Sequence, residues 1–114
     1  MADRGWPSDW TRAALALCVL RVLAAGPTYG YAIAGALEDA GFGSVKGGTL
    51  YPLLGRLESA GWVDVEWRAG EGGPGRKYFA LTPVGAAELE HQSRAWTDFT
   101  RMVGDHLREP GGTS

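Results

Sequence analysis

This 114-residue chain has little sulfur and little imidazole: one cysteine, two methionines and two histidines. With Cys18 alone, no intrachain disulfide or thiolate cluster can form, and its place in an apolar run predicts a buried thiol in a reducing cytoplasm. His91 and His106 are fifteen residues apart in one helical stretch, which separates them by about 22 Å along the axis, so they cannot share a site within one chain. No Ser-His-Asp set, pair of catalytic carboxylates, phosphate loop or metal-ligand cluster stands out, and the glycines at 70 to 75 lack the strand-to-helix setting of a phosphate cradle. An enzyme is therefore not expected, and neither a cofactor nor a metal is called for. Long apolar runs are missing too, and the opening Met1 to Trp10, with Asp3, Arg4, Pro7 and Asp9, does not have the basic-then-apolar order of a secretory signal. The expectation is a soluble, cytoplasmic protein with no membrane partner.

What is present is a globular balance, 45% hydrophobic and 21% charged residues, at the length of one domain. Five Trp, four Tyr and three Phe are a large aromatic load for one small core, so part of it is expected to face another subunit. The net charge of -2 conceals a division along the chain. Ser44 to Leu57 holds Lys46 and Arg56 with no acid, and Trp67 to Leu81 holds Arg68, Arg76 and Lys77 against Glu71. Val84 to Glu109, by contrast, carries five acids against three bases. Where charge lies matters more for a polyanionic partner than its sum.

Hydrophobic spacing predicts four helices and a hairpin. Ser8 can cap a first helix, Trp10 to Ala25, apolar on most sides and closed by Gly26-Pro27. Thr28 can cap a second, roughly Tyr29 to Ala40, with Gly41 as its stop. Leu50, Leu53, Leu54 and Leu57 mark a third from about Thr49 to Ala60, with Pro52 expected in its first turn. Val63, Val65 and Trp67 then alternate with Asp64, Glu66 and Arg68, as in a half-buried strand, and Lys77 to Leu81 reads as its partner across a long flexible tip. Thr82-Pro83 is a cap followed by a first-turn proline. It opens a helix to about Leu107, along which Leu89, Trp96 and Val103 recur every seven residues. A narrow stripe with charged flanks predicts packing on another helix.

Three helices followed by a hairpin is the order of a winged helix-turn-helix, whose third helix enters the major groove while the wing reaches phosphate or minor groove. Here the recognition segment, Ser44 to Leu57, and the wing are both net positive. Three runs of residues strengthen this: Tyr29-Gly30-Tyr31-Ala32-Ile33, then Gly48-Thr49-Leu50-Tyr51-Pro52-Leu53-Leu54 with Arg56-Leu57-Glu58 and Gly61, then Gly75-Arg76-Lys77-Tyr78-Phe79-Ala80-Leu81-Thr82 with Gly85. In order and spacing, over about residues 10 to 90, this resembles the PadR family of transcriptional regulators, short subfamily. The second helix departs from the family's basic pattern with Ala36, Glu38 and Asp39.

The resemblance implies a homodimer, a winged helix-turn-helix with a C-terminal dimerisation helix, and a repressor released by a small aromatic or drug-like ligand. The expected fold class is mainly α with a small β-hairpin. Residues 1-82 would form the DNA-binding domain with its N-terminal helix, 83-109 the dimerisation helix, and 110-114 a disordered tail. Double-stranded DNA with an inverted-repeat operator is the expected partner. Lys46, Thr49 and Tyr51 are assigned to the groove and Arg76 and Lys77 to the backbone; the competing readings are a cap, a packed ring, a solvated lysine and a wing made soluble by its charges. Tyr29 and Tyr78 are expected to pack, and Glu58 to lie on the surface. Trp96, at the position in the last helix where the resemblance places a ligand-stacking residue, is assigned with Trp10 and Phe99 to an effector site; Trp6 either closes over the same cavity with Trp10 or forms a loosely packed arm. Trp96 filling the dimer core is the alternative. At the level of function, a winged helix used only for protein contacts competes with DNA binding.

Overall fold

A computed structural model describes residues 5–70 and 73–108. Helix α1 spans Ser8–Ala24, strand β1 Thr28–Tyr29, α2 Gly30–Leu37, α3 Gly47–Ser59, β2 Val63–Gly70, β3 Gly73–Leu81 and α4 Pro83–Leu107. The sheet has the order β1-β3-β2 with both pairings antiparallel. It is a mainly helical fold with a small antiparallel sheet, as the hydrophobic spacing predicts. The expected tail, 110–114, lies outside the described residues.

The core joins Leu15, Val19, Leu20 and Leu23 of α1, Ile33 and Leu37 of α2, the four leucines of α3, and Val63 and Phe79 of the sheet. It contains no buried polar or charged residue among those described. α1 packs against α2, β3 and α4, which explains why it is apolar on most sides. Cys18 is half-buried within it, and desolvation pushes its thiol above the ordinary range. Thiolate is then scarce at neutral pH. A disulfide reagent is expected to label native Cys18 far more slowly than urea-unfolded chain; equal rates would show that the helix leaves the thiol open.

Three boundaries differ from the sequence expectation, each because backbone hydrogen bonding outweighs a local signal. Ser8 does not cap α1: the carbonyl of Pro7 takes that place, accepting from the N–H of Trp10 at 3.0 Å and Thr11 at 3.2 Å. Thr28 does not cap α2, since Thr28 and Tyr29 pair with Phe79 and Tyr78 as the third strand. α3 starts two residues early, on the carbonyl of Lys46, which accepts from Thr49 and Leu50. Pro52 therefore stands in the second turn of an exposed helix face, where its missing N–H leaves the Gly48 carbonyl to solvent.

Between α2 and α3 the chain makes one wide helical turn, Glu38–Phe42, that ends where Gly41 adopts φ 112° and Gly43 φ 78°. Those values favour glycine at both positions. The hairpin is tighter than a long flexible tip: its ladder runs through Arg68↔Arg76 to Gly70↔Gly73, with an irregularity between Arg68 and Gly70. Thr82 caps α4 as expected, accepting from the Gly85 N–H at 2.9 Å while its hydroxyl donates to the Gly61 carbonyl at 2.7 Å.

α4 extends beyond the core. The chain's radius of gyration, 16.8 Å, exceeds the roughly 13 Å of a compact domain of this length. Phe99, Met102 and Leu107 are 53%, 55% and 75% exposed. Arg94, Arg101 and Arg108 each pair with an acid one turn earlier, Glu90, Asp98 and Asp105, so this helix neutralises its own bases. Among the described residues no helix is long and apolar enough to cross a membrane, and no group of three His, Cys, Asp or Glu is placed to hold a metal ion.

Candidate nucleic-acid interface and effector cleft

The N-terminal end of α3 places Lys46, Thr49 and Tyr51 on the surface, while Leu50, Leu53, Leu54 and Leu57 along the helix turn inward. This is the i, i+3, i+4, i+7 division seen in the sequence. Tyr51 is 51% exposed. The inner edge of its ring lies against Gly30 so closely that a Cβ there would overlap the phenol, and Gly47 packs on the other ring edge. Gly30 belongs to the Tyr-Gly-Tyr-Ala-Ile run and Tyr51 to the Gly-Thr-Leu-Tyr-Pro run. Their contact sets how α2 meets α3.

The wing divides its cations between two faces, which the sequence assignment of Arg76 and Lys77 as a pair did not anticipate. Adjacent strand residues point oppositely. Arg76 lies over the Tyr29 ring at 4.4 Å, and Arg68, its cross-strand partner, lies over Tyr78 at 4.2 Å. Tyr29 and Tyr78 are themselves 5.4 Å apart. Two guanidiniums and two phenols thus form one cluster on the outer face of the sheet, the paired tyrosines flanked by the arginines. Both tyrosines pack, as expected, and in doing so hold the arginines in place. Lys77 projects from the opposite face, 5.8 Å over the Phe79 ring and opposite Trp67, which is 71% exposed. Arg68 also pairs with Glu66 at 3.1 Å. Arg68 was absent from the sequence assignment and carries no signal for this role in the sequence: a regular ladder from Gly70↔Gly73 would set it opposite Gly75, and only the irregularity between Arg68 and Gly70 brings it to Arg76.

Tyr29 and Gly30 are consecutive. One supports Arg76 of the wing and the other receives Tyr51 of α3, so a single dipeptide ties the two basic stretches together. Glu58 lies on the surface, as expected.

Away from this surface the structure brings the aromatic candidates together. Trp10 and Trp96 line one cleft of about 480 Å³ with Trp6 and Phe42. Phe99 is 6.0 Å from Trp96 and lines a neighbouring cleft of about 250 Å³ between α1 and α4, with Trp96 common to both. Trp6 stands 6.5 Å from Trp10, and its indole N–H donates to the Gly41 carbonyl at 3.2 Å. Phe42 gave no signal in the sequence, because it follows the glycine that ends the helical period.

Residues 19–91 match the model of the transcriptional regulator PadR-like family. The chain is 37% identical over 95 residues to a transcriptional regulator of Mycobacterium tuberculosis, covering 83% of this chain and 87% of that protein. Its fold is similar to a PadR family transcriptional regulator from Eggerthella lenta, with a TM-score of 0.81 at 36% identity over 89% of this chain and 88% of that one. A PadR-like transcriptional regulator from Bacillus cereus gives 0.78 at 29% identity over 89% and 98%.

Proposed function

The chain belongs to the PadR-like family of transcriptional regulators, and from that premise we propose that it is a homodimeric repressor that reads an inverted-repeat operator and is released by a small aromatic ligand. The observation that carries the DNA-binding part is the Tyr29-Gly30 junction, which fixes the Arg76 guanidinium and the Tyr51 ring relative to one another. A preorganised cation beside an exposed helix start suits a phosphate flanking a groove. Lys46, Thr49 and Tyr51 enter the groove, and Arg76 with Arg68 contacts the backbone. Lys77, on the other wing face, meets DNA only if the wing tip lies deep enough to present both faces. The repressor role follows the family resemblance. The effector reading is supported by the convergence of Trp10, Trp96 and Phe99 around α1 and α4.

Dimerisation through α4 is supported by its uncovered apolar residues and its internally paired charges. Two-fold symmetry would then be mirrored in an operator whose half-sites lie about one helical turn apart.

The test is fluorescence anisotropy with DNA from immediately upstream of the protein's own gene, repeated across salt concentrations. Arg76→Ala is expected to weaken binding to specific and unrelated DNA alike. It should also reduce the slope of log K against log salt by about 0.9 for each phosphate that the guanidinium no longer neutralises. Lys77→Ala is expected to have the smaller effect. Equal effects would contradict the division of the wing into two faces, and the absence of measurable salt-dependent DNA binding would favour the protein-contact alternative.

A further inference from the structure

A surface cleft of about 220 Å³ lies where the start of α1 meets the chain entering α3. Arg12 and Lys46 line it with the hydroxyl residues Ser8, Ser44 and Thr49, over a floor of Leu15 and Phe42, and no acid is among its lining residues. Among the described residues Lys46 takes part in no ion pair, and the side-chain hydroxyls of Ser8, Ser44 and Thr49 take part in no hydrogen bond. An ammonium, a guanidinium and three hydroxyls without protein acceptors thus converge on one small space. Resting on the DNA-binding reading above, we propose that this cleft seats one phosphate of the operator backbone, so that α1 contacts DNA beside α3 and the wing.

The chemistry of the walls selects an oxyanion. Arginine, lysine and the hydroxyl residues are the side chains that hold backbone phosphates, and each can donate a hydrogen bond to a phosphate oxygen. The Arg12 fork keeps donors in reserve: Nη1 donates to Asp9 at 2.9 Å, while Nη2 and Nε have no acceptor among the described residues. Both side chains of that pair are well exposed, 72% and 88%, so it holds weakly in water and a phosphate can share or displace it. Asp9 offsets one charge, and Arg12 with Lys46 still leaves the cleft net positive. Its size falls below the roughly 300–1,000 Å³ of a drug-sized site, which suits a compact group. The aromatic cleft on the other side of Phe42 has the opposite character, with stacking walls and no ionisable lining residue.

The position of the cleft points to DNA as the source of the phosphate. Lys46 and Thr49, three residues apart, share one face of α3, and this is the face that borders the cleft. Gly47 and Tyr51, four apart, share another, which meets Gly30 of α2. The recognition helix is therefore flanked by Arg12 on one face and, on another, by the Tyr29-Gly30 junction that holds Arg76. A phosphate seated beside Arg12 gives the helix a backbone anchor separate from the wing. Two anchors fix the helix in the groove more tightly than one, because each removes a direction in which it could tilt. Lys46 stands at the rim between this phosphate and the groove. Arg12 belongs to neither basic stretch of the sequence, and only the fold brings it to Lys46.

The test uses the full chain and the shortest duplex from upstream of its own gene that keeps full affinity. Arg12→Ala is expected to weaken binding of this duplex and of unrelated DNA by about tenfold, the scale of one hydrogen bond to a charged group. The slope of log K against log salt should fall by about 0.9, one phosphate. Arg12→Lys keeps the charge and should keep the slope. Because Arg12 is exposed, both variants should unfold in urea at the parent's midpoint. Duplexes that each carry a single uncharged methylphosphonate then locate the contact. At one position in each half-site the parent and Arg76→Ala should lose affinity while Arg12→Ala does not. If no position separates Arg12→Ala from the parent, the cleft holds no operator phosphate, and the reading of α3 and the wing survives without it. Inorganic phosphate, titrated by calorimetry, is the second probe. Phosphate binding that Arg12→Ala abolishes, together with a methylphosphonate scan blind to Arg12, would assign the cleft to a free anion and overturn the proposal. A parent chain without salt-dependent DNA binding would overturn both the proposal and the reading on which it rests.

Discussion

Gly85→Ala is expected to destabilise the folded chain by about 1–3 kcal/mol, the cost of adding a methyl group to space that is already filled. Gly85 is the one buried residue among those described in α4, and it lies in the first turn. A Cβ at this position would overlap the backbone carbonyl of Trp62. That carbonyl cannot withdraw freely, because it accepts the Thr82 N–H at 3.0 Å. Thr82 is held in turn by Gly61 on one side and by the Gly85 N–H on the other. The methyl group must therefore push the start of α4 away from the end of α3 and loosen three hydrogen bonds around one threonine. Urea unfolding at a fixed chain concentration should show a lower midpoint with an unchanged slope. Gly30→Ala is the instructive control. Its methyl meets the far end of the Tyr51 side chain, not backbone, so the ring can swing aside and the midpoint should fall less, while operator affinity drops because Tyr51 has moved. A Gly85→Ala protein that unfolds like the parent chain would show that the α3–α4 junction yields more readily than its hydrogen bonds imply.

The same contrast shows what could be read in the sequence and what could not. The leucines of α3 and the alternation of β2 announce themselves because each period places apolar residues on one face, and burial follows directly. Thr82-Pro83 was legible because both residues act locally, one through its hydroxyl and one through its ring. Thr28 misled for the opposite reason. Its capping chemistry is local, but the partner that claims its backbone, Phe79, lies fifty-one residues later. Trp67 falls on the apolar side of its strand and yet is exposed, since the strand continues past the helices that cover Val63. The opposed directions of Arg76 and Lys77 are implied by strand geometry alone. The support of Arg76 by Tyr29 needs the β1–β3 pairing, which two residues of strand could not reveal. Gly41, Phe42 and Trp6 belong to the same class, distant in sequence and joined only by the fold.

Phe99→Glu is expected to have the largest effect on function, producing monomers and lowering operator affinity by about 10²- to 10⁴-fold through loss of bivalent binding. Phe99 sits on the uncovered stripe of α4, with Trp96 before it and Met102 after it. The bases nearby on this helix, Arg94 and Arg101, are already paired with Glu90 and Asp98, so a new carboxylate finds no free partner on its own helix. In a two-fold interface the substitution enters twice, once from each chain, and burying an unpaired charge costs several kcal/mol for each. Glutamate is also a good helix former, so α4 itself should persist and the helical circular dichroism signal should change little. Each monomer would retain Lys46, Tyr51 and the Arg76 cluster, because these lie on other elements, and would bind DNA only weakly through one half-site. Light scattering should return a mass near the 12.1 kDa of one chain for the variant and is expected to return twice that for the parent protein. If Phe99→Glu stays dimeric with operator binding intact, the two-fold seam does not run along this face of α4, and the exposed stripe must be covered in some other way.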